Sequence, residues 1–72
     1  IIMAKKEKAH IIAYQNGLPK GYIKSVSYSR NTFDLTQNKM EAKGYATASH
    51  VQGEIDVLTR MGFAYGYTFI YD

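Results

Sequence analysis

The sequence predicts an α+β fold: an antiparallel sheet of three or four strands, in ββ(β)ααβ order, with helices packed on one face. Three observations carry this. Two β-rich runs, residues 9–15 and 22–29, flank a short connection rich in Gly, Pro and Asn. Val51, Ile55 and Leu58 fall at i, i+4 and i+7 between capping residues and Gly62. Residues 63–71 then place an aromatic ring at every second position. Period two marks strands and a period near 3.6 marks a helix.

The elements follow in order. Residues 9–15 form a first strand, and residues 16–21 (Asn-Gly-Leu-Pro-Lys-Gly) a six-residue turn segment. A connection this short makes the next strand antiparallel to the first. On that second strand Tyr22, Lys24, Val26 and Tyr28 share one face, and Ile23, Ser25, Ser27 and Ser29 the other. Arg30-Asn31 turns the chain, and residues 32–35 add a short extended piece with Phe33 and Leu35 pointing the same way.

Thr36 can cap a short helix over residues 37–43, with Gly44 at its left-handed end. For the main helix, Thr47 or Ser49 is the N-cap; Ser49 with Gln52 has capping-box spacing, and Gly62 closes the far end. Asp56 and Arg60 are spaced as an i, i+4 pair. Gly53 inside the helix costs about 1 kcal/mol relative to Ala, and a close backbone neighbour would explain it. If the last strand lies beside the first, the three main strands are ordered 2-1-3.

Residues 9–72 read as a single domain, and residues 1–8 as a basic flexible tail. Met3-Ala4-Lys5-Lys6 reads as a bacterial translation start, so Ile1 and Ile2 are left out of the fold. A chain of 72 residues buries only roughly 60% of its unfolded surface. With no Cys and two isolated His, neither disulfides nor a metal supplements the core, which leaves tight packing or oligomerisation. No apolar run approaches the ~20 residues of a membrane span, so the expectation is a protein without a membrane partner, in the cytoplasm. No cofactor is implied.

Net charge is +3, unevenly spread. Residues 1–30 carry Lys5, Lys6, Lys8, Lys20, Lys24 and Arg30 against Glu7, while the remainder is acidic overall. A basic end attracts phosphates or an acidic protein surface, or simply keeps the protein soluble.

Residues 63–71 are the most informative stretch. Phe63, Tyr65, Tyr67, Phe69 and Tyr71 share one side, opposite Ala64, Gly66, Thr68 and Ile70. The simplest reading makes the rings the core beneath the helix. A nine-residue strand spans about 30 Å, however, and a helix of some 14 residues only about 21 Å. Part of the aromatic face should therefore extend past its cover, and Tyr65, Tyr67 and Tyr71 become candidate partner-binding residues. A helix packed instead on the small face would leave every ring open.

Catalytic signals are absent. No Cys nucleophile, HExxH motif, Cys/His metal spacing or phosphate loop occurs. His10 and His50 are far apart in sequence, and Glu41, Glu54 and Asp56 read most simply as helical surface charge. The expectation is a non-enzymatic binding module that associates with itself, as a homodimer, or with another protein. Nucleic-acid binding is the alternative, through Lys20, Tyr22, Lys24, Tyr28 and Arg30, because mixed cation and aromatic rows on a sheet contact phosphates and stack bases. No RNA-binding signature or DNA-reading helix accompanies that row.

The segment Tyr-Ala-Thr-Ala-Ser-His-Val-Gln-Gly-Glu-Ile-Asp-Val-Leu at residues 45–58, with the Tyr-rich strand after it, resembles the small uncharacterised proteins encoded by phages and prophages of Gram-positive bacteria. These pair a Lys-rich start with a hairpin, a capped helix and a Tyr-rich final strand. The likeness is one of arrangement from Ala9 onward and carries no functional residue across. It implies a bacterial cytoplasmic setting and a role in altering a host protein.

Overall fold

A computed structural model describes residues 9–72, so the basic segment of residues 1–8 lies outside the described residues. The described residues fold as an α+β unit with a four-stranded antiparallel sheet and one α-helix. Strands β1 (Ile11–Gln15), β2 (Leu18–Ser27) and β3 (Thr32–Thr36) form a meander; helix α1 (Ala48–Gly62) follows, and β4 (Tyr67–Tyr71) closes on β1. The sheet order is β3-β2-β1-β4. The last strand thus lies beside the first, the condition under which the order 2-1-3 follows, and the short extended piece is a full strand on the far edge.

The β1–β2 connection is tighter than its composition suggests. Asn16 and Gly17, with φ of 56° and 78°, form a two-residue turn, and β2 begins at once with Leu18. Positive φ at both central residues is what the right-handed twist of a hairpin requires, and Asn-Gly supplies it with least strain. Pro19 and Gly21, read as turn residues, therefore lie inside β2, opposite Tyr14 and Ala13.

Two irregularities shape β2. Opposite β1, Lys20 is the extra residue between the Tyr14 and Ala13 pairings; opposite β3, Lys24 is extra between Ile23, paired with Leu35, and Ser25, paired with Asp34. Each bulge inserts a residue and reverses the alternation beyond it. The expected faces are corrected accordingly: Ile23 is fully buried, and Val26, expected opposite to it, packs on the same core.

The predicted short helix over residues 37–43 is a single 3-10 turn at Lys39–Glu41, capped by Asn38, whose side chain accepts from the Met40 N–H. Thr36 Oγ1 accepts from the Asn38 N–H. Gly44 is not among the residues with positive φ, so it does not act as a left-handed cap. Among the described residues there is therefore one α-helix, with a single 3-10 turn where a second helix was expected.

Helix α1 starts at Thr47, whose hydroxyl accepts from the His50 N–H at 3.2 Å. This decides between the two candidate caps. The Ser49–Gln52 capping box does not form; Gln52 instead donates to Asp56 Oδ1 at 3.0 Å, and no Asp56–Arg60 ion pair forms. Val51 and Leu58 are buried and Ile55 packs against them, so the expected stripe is the core stripe. Around it are Ile11, Ala13, Ile23, Tyr45 and Phe69. Gly53 has open space where a Cβ would be, which removes the expected close neighbour. Within the helix it is Gly62 that is approached closely, by the ring of Phe69.

Residues 63–71 do not form one strand. The chain passes from Phe63 through turns to Gly66, where φ is +75°, and only Tyr67–Tyr71 is extended. The helix lies on the aromatic face, with Phe69 buried beneath it, rather than on the small-residue face.

Candidate functional site

Tyr67 and Phe69 point toward the helix side, since they pair with Gln15 and buried Ala13. Phe33, from the opposite edge of the sheet, meets three aromatic rings there: Tyr65 at 5.8 Å, Tyr67 at 5.2 Å and Phe69 at 5.2 Å between centroids, each edge-on. Two intervening strands would hold β3 and β4 some 10 Å or more apart in a flat sheet, so the β2–β3 hairpin curls over the helix side. The bulges at Lys20 and Lys24 supply that bend. Edge-on pairing satisfies the ring quadrupoles and fastens the two sheet edges together.

The three tyrosines proposed as a partner surface therefore differ. Tyr67 is half-buried in the ring cluster. Tyr65, off the strand, is 46% exposed; its carbonyl accepts from Gln15 Nε2 at 2.7 Å and its hydroxyl donates to the Asn31 carbonyl at 3.4 Å. Tyr71 is 58% exposed, and its neighbour Ile70, on the opposite face, is 47% exposed. Exposed aromatic and aliphatic area thus flanks β4 on both sides.

The backbone of β4 adds to this. His10 and Asp72 exchange both backbone hydrogen bonds, at 3.3 and 2.8 Å. Alternation along an antiparallel pair then directs the N–H and C=O groups of Tyr67, Phe69 and Tyr71 away from β1. Among the described residues β1 is the only strand bonded to β4. No Asp, Glu, Lys, Arg or Pro interrupts Tyr67–Tyr71.

The basic candidates do not converge. Lys20, Lys24 and Arg30 are exposed. Tyr22, paired with Ile12 and Thr36, faces away from the helix, with its ring edge-on to His10 at 6.2 Å and under Lys39 at 6.0 Å. Tyr28 instead turns to the helix side, where its hydroxyl donates to Glu54 Oε1. The expected common face of Tyr22, Lys24 and Tyr28 is therefore broken, by the bulge at Lys24 and by the turn after Ser27.

Glu54, read as surface charge, is only 4% exposed. Its Oε2 accepts from Lys43 Nζ at 2.7 Å and from the Tyr45 hydroxyl at 3.0 Å, and its Oε1 from Tyr28. Burial pushes the carboxyl up, but the hydrogen bonds from Lys43, Tyr28 and Tyr45, with the Lys43 charge, outweigh it and hold the group below its ordinary value. Burial first, and then the bond to Glu54, raise the Tyr45 phenol far above its usual range. Tyr28 is raised chiefly by its bond to Glu54. Lys43 is itself pinned: its N–H donates to the Ile23 carbonyl, and its own carbonyl lies 3.1 Å from His10 Nδ1.

A carboxylate with both oxygens engaged by fixed donors is a clamp rather than a poised base. It ties α1 to the β2–β3 turn through Tyr28 and to the segment before the helix through Lys43 and Tyr45. Sequence reasoning missed it because Lys43 and Glu54, eleven residues apart, meet only in the folded chain. The one available signal was that Glu54 lies one turn from both Val51 and Leu58, on the edge of the apolar stripe.

A cleft of about 350 Å³ lies beside this clamp, between Tyr28 and Asn31 of the turn and Val57, Arg60 and Met61 of α1. Among the described residues no group of three or more metal-ligating side chains is arranged to hold an ion, and no helix is long and apolar enough to cross a membrane. The chain matches no protein-family model, no curated protein and no solved structure.

Proposed function

We propose that the protein is a small non-enzymatic binding module that associates with itself or with another protein through the surface built on β4, Tyr65, Tyr67 and Tyr71. The observation that carries this reading is the character of β4: an edge strand without charge, flanked by the exposed side chains of Tyr65, Ile70 and Tyr71. Natural edge strands are usually shielded by charge, Pro or a covering element, and an unshielded one marks a pairing surface. Tyr suits such a surface because it brings a large, stiff ring and a hydroxyl that stays hydrated when unbound. The resemblance to phage and prophage proteins supports a bacterial cytoplasmic setting and a host protein as the partner when the partner is not a second copy.

The test compares two ligand classes on one preparation. Sedimentation velocity over a range of concentrations, alone and with Tyr71→Ser, reads association through β4. Fluorescence anisotropy of labelled single-stranded and duplex nucleic acid at about 50 and 200 mM salt, with Lys24→Glu as control, reads the alternative. Association weakened by Tyr71→Ser, with no salt-dependent anisotropy, supports the module. Saturable, salt-sensitive nucleic-acid binding lost in Lys24→Glu overturns it.

A further inference from the structure

We propose that the occupant of the β4 edge is the β4 strand of a second copy, paired antiparallel about a twofold axis at Phe69 to make one continuous eight-stranded sheet. This rests on the reading of β4 as the binding surface and names its partner and register.

The register follows from the backbone. Tyr67, Phe69 and Tyr71 direct their N–H and C=O groups outward, and residues that exchange both bonds across an antiparallel pair must both be of this kind. A twofold axis at Phe69 pairs Phe69 with itself and Tyr67 with the Tyr71 of the second copy. All outward groups of both strands are then used. On the face away from the helix, Thr68 of each copy comes opposite Ile70 of the other, a β-branched pair that covers part of the exposed Ile70. Asp72 comes opposite Gly66, and no like charges meet.

The other edge of the sheet argues for closure at two copies. β3 carries Asp34 at its centre, and a twofold pairing of β3 about that residue would set two carboxylates face to face. One edge is guarded by charge and the other is not, so pairing is isologous and stops at a dimer instead of continuing into a fibre. The paired strands themselves carry no charged side chain, so the contact sets no like charges of β4 against each other.

The experiment is sedimentation equilibrium from about 1 µM to 1 mM, a range that covers a small interface. Three variants accompany the wild type, each checked for retained fold by circular dichroism. Thr68→Lys with Ile70→Lys places like charges opposite each other in both symmetric pairs, and the dimer weakens by roughly tenfold or more. Thr68→Lys with Ile70→Glu places opposite charges in the same pairs, and association is kept. Tyr71→Pro removes one outward donor without touching a bond to β1, and weakens the dimer. Amide hydrogen exchange of the unmodified protein gives the same answer without substitution. Thr68 and Ile70 are protected at every concentration, whereas Tyr67, Phe69 and Tyr71 gain protection only as the mass doubles.

A wild type that stays monomeric to about 1 mM overturns the second copy as occupant, while capture of another protein that Tyr71→Ser abolishes would leave the broader reading standing. Equal dimerisation of all three variants overturns the edge contact. Equal loss in the two charge variants, with no protection gained at Tyr67, Phe69 and Tyr71, overturns the register.

Discussion

Gly62, the last residue of α1, lies against the ring of Phe69 in β4: a Cβ at position 62 would stand 3.0 Å from Cζ and nearer still to Cε2. The helix can approach the sheet here only because this residue has no side chain. Gly62→Ala should therefore destabilise the fold by about 1–3 kcal/mol through overpacking, despite the better helix propensity of alanine. Gly53→Ala, with open space around it, should stabilise by about 0.5–1 kcal/mol. Urea unfolding of the two variants checks both signs, and the same outcome for both would contradict the packing assigned to Gly62.

The N-cap supplies a second contrast. Thr47→Ala removes the hydroxyl that accepts from His50 and should cost about 1 kcal/mol. Ser49→Ala, already inside the helix, should change stability by less than about 0.5 kcal/mol. Thermal denaturation followed at a helix-sensitive wavelength ranks them.

The Glu54 clamp sets a pH window. The carboxyl of Glu54 is held below its ordinary 4.5, so its contribution is present above that value and is lost as pH falls through the depressed one. The phenol of Tyr45 is raised above its ordinary 10.0, so its contribution is present below pH 10.0 and is lost as pH rises through the raised one. The contribution of the clamp is expected to be flat between these limits and to fall on either side. Lys43→Met takes away the cation, should cost about 2 kcal/mol near neutrality, and should move the acid limb to higher pH because Glu54 loses the partner that lowers it most. Urea midpoints measured across pH for both proteins check this; an unmoved acid limb would mean that another carboxyl controls acid unfolding.

Phe33 tests the curl of the sheet. Phe33→Ala removes three edge-on ring contacts between β3 and the Tyr65–Phe69 segment and should cost about 2–3 kcal/mol. Phe33→Leu keeps apolar volume and should recover about half. Ring-proton NMR shifts of Tyr65 and Tyr67 should move in both variants, because both lose the ring current of Phe33.

The helix and its core stripe were legible because Val51, Ile55 and Leu58 recur along one helical face, and the first two strands because β-rich runs flank a Gly-, Pro- and Asn-rich segment. What was not legible depends on single residues that interrupt a period. Lys24 looks like any other member of an alternating strand, yet as a bulge it brings Val26 round to the face of Ile23 and separates Tyr22 from Tyr28. Gly66 looked like one small residue among alternating rings, yet its positive φ ends the turn that removes Phe63 and Tyr65 from β4. Glu54 escaped for a different reason. Its burial is compensated by Lys43, Tyr45 and Tyr28, and local spacing says nothing about donors that arrive from other segments.

The place of β1 between β2 and β4 has a consequence for how the chain is made. β2 reaches β1 across a two-residue turn, whereas the β4 partners of β1 lie more than fifty residues further on. Until residues 67–71 leave the ribosome, Ile11, Ala13 and the α1 stripe all lack Phe69 and the strand that carries it. The hairpin can form early, but the core closes in one late step. A nascent chain halted before Tyr67 would present a bare strand edge and a partly uncovered apolar helix face, the surfaces that chaperones recognise.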